Sequence, residues 1–150
     1  MPEAGEGSVV NWTRIALGGV IAGTVMLFSQ IVLHTVVLID QGTSMVQDWA
    51  SRGLDASAAL EPSIPLTVAL YGLGFVCVWV YAASRPRFGP GAATAIRVGV
   101  VVWAASHLFT AIYVHAGVVI LPPRMVWLPA AWTFVEVPLA TVAGCWLYRE

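Results

Sequence analysis

The sequence predicts an all-α membrane protein, an antiparallel bundle of four transmembrane helices with both termini in the cytoplasm. Three observations predict it. Hydrophobic residues make up 59% of the 150 positions and charged residues 10%, whereas a soluble domain carries about 25% charged residues. Four apolar runs, at 14–39, 66–83, 94–116 and 127–148, lie near the roughly 20 residues that cross a 30 Å hydrocarbon core as helix. Arginines gather over 84–97, from the turn into the start of the third run (Arg85, Arg87, Arg97), and at Arg149. The bias of basic residues toward the cytoplasm then places that turn and both ends inside, and the two longer loops outside.

The composition also excludes several classes. Net charge is −1 and lysine is absent, so there is no basic footprint for a nucleic acid. Cys77 and Cys145 fall inside apolar runs and make no disulfide framework. Residues 1–11 are acidic and glycine-rich and lack the positive region of a cleaved signal. They read as a polar tail ahead of a retained first helix. One four-helix domain accounts for residues 1–150.

The first run follows Arg14, with Asn11 or Thr13 as candidate caps. Its Gly19 and Gly23, and Gly18 with Ala22, are small residues four apart that let another helix approach closely. Gln30 and His34 are also four apart and share a face. Residues 40–65 carry Asp40, Asp48, Asp55 and Glu61 against Arg52. Met45, Val46, Trp49 and Leu54 suggest a short amphipathic helix within 43–54, lying on the bundle or in the membrane interface; an unstructured linker is the alternative. Pro62 and Pro65 bound this loop. The second run ends in Trp79 and Tyr81, an aromatic belt, and the stretch 84–91, SRPRFGPG, reads as a stiff positive turn. Ala95 and Gly99 form a second small pair in the third run. Pro122-Pro123 break the next connection. The fourth run has Pro129 in its first turn, Pro138 as a kink, and a third small pair, Ala140 and Gly144. With three such small-residue faces on four helices, some surface is expected to be left for a partner.

The candidate site residues are the polar groups inside the runs. At 1.5 Å per residue, Gln30, Glu136 and His107 fall about 13–15 Å from the outer edge, His34 roughly 8 Å and His115 about 3 Å. A glutamate near the bilayer centre is costly unless paired. Glu136 is therefore expected to face inward and to hydrogen-bond His107 or Gln30. The layer reads either as interhelical glue, as a proton or ion relay, or as a pocket for a lipid, a quinone or another small hydrophobe. A metal or haem site has only His34, His107, His115 and Glu136 to draw on. The histidines miss a common depth by about 5–7 Å, so no cofactor is predicted, though haem or quinone remains open. Ser106 beside His107 is no catalytic pair on this reading, because adjacent helical side chains diverge by about 100°. No hydrolase, metalloprotease or nucleotide-binding motif occurs. The sparse polar residues argue against an enzyme, and no catalytic residue is assigned. Arg85 and Arg87 are topology anchors or contacts for anionic lipid headgroups. Deep tryptophans, Trp103 and Trp132, need partners for their N–H groups.

The turn RPRFGPG, the segment TAIRVGVVVW and the ending WTFVEVPLATVAGCWLYRE resemble a family of small, uncharacterised bacterial four-helix inner-membrane proteins. Its members are similar in an acidic first loop with a Trp-bearing helix, here QDWASRGLD, and in a glutamate of the last helix, here Glu136. The pattern does not extend to His34 or His107, and the family implies no activity. Together these features predict a structural or accessory membrane protein, self-associating or a subunit of a larger complex. The alternatives are a small transporter using Glu136 and His107, and a membrane enzyme or cofactor carrier.

Overall fold

The computed structural model describes residues 11–54, 63–118 and 121–148. The expected tail, the acidic positions Asp55 and Glu61, Pro62 and Arg149 lie outside them. Among the described residues every regular element is helical. These are α1 (Trp12–Val32), α2 (Ile39–Ser51), α3 (Ile64–Phe88), α4 (Ala92–Trp103), α5 (Phe109–Tyr113) and α6 (Pro123–Cys145). π-helical turns extend α1 over Leu33–Val37, join α4 to α5 over Ala104–Leu108, and follow α5 over Val114–Val118. Four stretches are long and apolar enough to cross a membrane: Trp12–Val37, Ile64–Phe88, Ala92–Gly117 and Pro123–Cys145.

Each begins for a local reason. Asn11 Oδ1 accepts from the Arg14 N–H at 3.1 Å, and Ser63 Oγ accepts from the Leu66 N–H at 3.4 Å, each covering a donor the first turn leaves open. Pro123 opens α6, four residues before the expected start at Trp127. A proline at this place lacks only an N–H that the helix would not have used. Pro129 thus lies inside α6 rather than in its first turn. The stretch 84–91 is only partly a turn, since α3 runs through Pro86 to Phe88. The chain reverses at Gly89 and Gly91, with φ of 78° and 119° and ψ of 166° and 176°. That conformation is open essentially to glycine alone. No atom lies within 4 Å of a Cβ added at Gly89, so Gly89→Ala tests backbone strain by itself. It is expected to cost about 1–3 kcal/mol, measured as unfolding free energy in mixed micelles.

The core lies where α1, α3 and α6 meet. Ile15, Ala22, Met26, Cys77, Val78, Val137 and Ala140 are wholly buried. The small pairs are what bring the backbones together. A Cβ at Gly18 would lie 2.5 Å from the Gly144 carbonyl oxygen, and one at Gly144 would lie 2.5 Å from the Gly18 carbonyl oxygen. Gly19 packs on Phe75, Gly23 on Tyr71, and Gly99 on Pro138 and Thr141. Among the described residues, all three expected small-residue faces therefore meet other helices of this chain. The outside is apolar. Phe28, Val68, Val101 and Leu139, one from each long stretch, are 60–66% exposed, a surface that suits hydrocarbon and not water.

Outside the long stretches, α2 continues from α1 past Leu38, whose φ and ψ of −108° and 5° break the helix. Met45, Val46 and Trp49 share a side of α2, and none of its residues is buried. Asp48 pairs with Arg52 across one turn at 2.9 Å.

Candidate functional site

The polar cluster sits between α1 and α6. Glu136 is 5% exposed, and its neighbours on α6, Val137 and Ala140, are fully buried. Gln30 Nε2 donates to Glu136 Oε1 at 3.1 Å and to Oε2 at 3.2 Å. Ser29, next to Gln30, and Trp132, one turn before Glu136, link the two helices beside this pair. The Trp132 indole N–H donates to Ser29 Oγ at 2.8 Å, which leaves the Ser29 proton to be given onward. The carboxylate of α6 is thus held by an amide from α1, as a buried polar group requires.

His34 stands one turn beyond Gln30. Its Nδ1 donates to the Gln30 carbonyl oxygen at 2.9 Å, so its ring is tied to the backbone of the same helix. The ring itself is exposed.

His107 does not join this cluster, contrary to the depth-based expectation of a shared layer. Its neighbours across the helix pair are Val126, Pro129 and Ala130, six or more residues before Glu136. Two causes account for the offset. Starting α6 at Pro123 moves Glu136 about 6 Å deeper than a start at Trp127 would. The π-helical turns Ala104–Leu108 and Val114–Val118 also advance less per residue than α-helix, which leaves His107 shallower.

The same π turn brings together two side chains that were expected to diverge. Ser106 Oγ and His107 Nδ1 are 2.8 Å apart, although the residues are adjacent. The wider turn rotates neighbouring side chains together. Ser106 Oγ also donates to the Val102 carbonyl oxygen at 2.7 Å.

His115 is elsewhere again, exposed, with its ring edge-on to Trp127 at 5.5 Å. Among the described residues, no three His, Cys, Asp or Glu side chains gather as a metal site. Trp103 finds its partner in the Ala130 carbonyl oxygen at 2.9 Å. Arg85 lies over the Tyr148 ring at 5.3 Å, beside a cavity of about 340 Å³ lined by Tyr81, Ala95, Cys145 and Trp146. Arg87 lies over the adjacent Phe88 ring at 5.9 Å and is exposed.

Two members of the cluster were missed by sequence reasoning. Trp132 stands four residues before Glu136, the spacing that puts both on one helix face, so that signal was present. Ser29 carried none, being adjacent to Gln30. No family model, curated protein or solved structure matches this chain.

Proposed function

We propose that this chain is a structural or accessory protein of the bacterial inner membrane, acting by self-association or as a subunit of a larger membrane complex. Its four long stretches cross as an antiparallel bundle with both ends in the cytoplasm. The falling register of the helix contacts supports that arrangement: Gly19 meets Phe75 while Gly23 meets Tyr71. The arginine-bearing turn supports the orientation.

The observation that carries the functional reading is how Glu136 is held. Its carboxylate, on α6, accepts two hydrogen bonds from the Gln30 amide of α1, which makes it a clamp between the first and last long helices. The inner half of the bundle is tightly closed around Gly18, Gly144, Gly99 and Pro138, as suits a scaffold. What a partner would hold is then α2, whose Met45, Val46 and Trp49 are only half-buried against this chain.

Native mass spectrometry of the protein extracted from its own membrane in mild detergent tests this reading. A second copy or another subunit should travel with it, and Trp49→Ala should release that partner. A lone chain with bound lipid only, in both forms, would reject association.

A proton or ion carrier is the second reading, favoured by His34 standing one turn from the clamp. Proton flux into vesicles holding the purified protein separates the two. The carrier requires flux that Glu136→Gln abolishes, whereas a clamp gives flux no different from empty vesicles.

A further inference from the structure

A cavity of about 210 Å³ lies between the α4–α5 segment and the start of α6. Its walls include Ala111, Val114, Met125 and Val126, with His107 and Ser106 as polar members. It is flanked by two π-helical turns, a geometry that recurs at functional sites. For scale, an apolar cavity of about 150 Å³ takes up benzene.

The hydrogen bonds around this cavity fix what it offers. Ser106 has one proton, and the Val102 carbonyl oxygen at 2.7 Å can only accept it. The contact between Ser106 Oγ and His107 Nδ1 at 2.8 Å is then donated by the imidazole. The neutral ring therefore carries its proton on Nδ1 and keeps a lone pair on Nε2. Nε2 makes no hydrogen bond among the described residues. The Thr110 hydroxyl, also at the wall, donates to the Ser106 carbonyl oxygen at 2.6 Å, so its oxygen is left with accepting capacity. Pro129 has no N–H to give the Met125 carbonyl. The wall is thus apolar with acceptors in it, and the side-chain donors there are already engaged.

The geometry points to a binding site for a small lipid-soluble aromatic molecule carrying a hydroxyl donor, a phenol or hydroquinone, whose O–H is accepted by His107 Nε2. The apolar body fills the space beside Ala111 and Val126. The hydroxyl supplies the one group that the wall lacks. This site is separate from the Glu136 clamp and does not depend on the role proposed for that clamp.

The test compares 2-naphthol with 2-methoxynaphthalene, which has the same rings and no donor, on the purified protein in mild detergent. Saturable binding of 2-naphthol is expected, about tenfold tighter than that of the ether. In protein labelled with ¹⁵N in its imidazoles, only 2-naphthol should move the Nε2 resonance that His107→Leu removes. His107→Leu should bind the two probes equally, and His107→Gln, which keeps an acceptor, should restore part of the preference. Ala111→Phe, which fills the cavity and leaves His107 in place, should lose both probes. Equal affinity of the wild type for the two would reduce the cavity to a crevice for acyl chains and overturn the proposal. So would uptake no different from empty micelles, or a preference unchanged by His107→Leu. If the His107 variants do not fold, the wild-type probe pair and Ala111→Phe still decide.

Discussion

Gly144→Ala should destabilise the protein by about 1–3 kcal/mol, the range for forcing one extra carbon into a close-packed contact. Gly144→Leu should yield no folded protein. The added Cβ falls 2.5 Å from the Gly18 carbonyl oxygen, 3.0 Å from Ala22 Cβ and 3.0 Å from Val78 Cγ2. The nearest of these is backbone, which cannot rotate aside as a side chain can. The only remedy is to part α1 from α6, and that loosens Ile15, Ala22 and Ala140 together. The double variant Gly18→Ala/Gly144→Ala should cost less than the sum of the singles, because one widening serves both methyl groups. Gly72→Ala is the matching control. It has nothing within 4 Å of the new Cβ and should gain about 0.5–1 kcal/mol from the better helix former. Unfolding free energies in mixed micelles report all four. A Gly144→Ala variant as stable as the parent would show that the glycine contact is not what sets the helix spacing.

Gln30→Leu carries the second large effect. It removes the amide that reaches both Glu136 oxygens at 3.1 and 3.2 Å and leaves a buried carboxylate short of donors. Interhelical hydrogen bonds in membrane proteins average about 0.6 kcal/mol. Stranding a buried polar group costs about 1–3 kcal/mol, more when it is charged. Because Glu136 is only 5% exposed, the larger range applies. Replacing both residues, Gln30→Leu/Glu136→Leu, should recover most of the loss, since neither variant side chain then needs a partner. A double-mutant cycle gives the coupling directly. A coupling near zero would mean that the clamp holds nothing.

The four long helices were legible because each is a long apolar run, and length and hydropathy alone suffice for that. Their ends were less so. Pro123 and Pro129 are both compatible with a helix start, and only packing against α4 and α5 decides between them. That four-residue ambiguity carried straight into the depth of Glu136 and separated it from His107. The Gln30–Glu136 contact was within reach, because both fall near the middle of their runs and an unpaired carboxylate must find a donor. The π turns were invisible. Nothing in AASHL or VHAGV distinguishes a five-residue turn from an ordinary one, and the Ser106–His107 pair depends on it. The small-residue pairs were read correctly as places of close approach. Which helix approaches is a tertiary question, and here the neighbours proved to be within the chain.

The clamp also imposes an order on biosynthesis. Gln30 and Glu136 are 106 residues apart, and ribosomes add about 5–20 residues per second. For roughly 5–20 s, the amide on α1 exists while the acid it will meet has yet to be made. During that wait, α1 can rest against α3 through Gly19 and Gly23, but the side that receives α6 stays open. A nascent chain stopped before Glu136 therefore leaves Ser29 and Gln30 uncovered on the side that α6 would close.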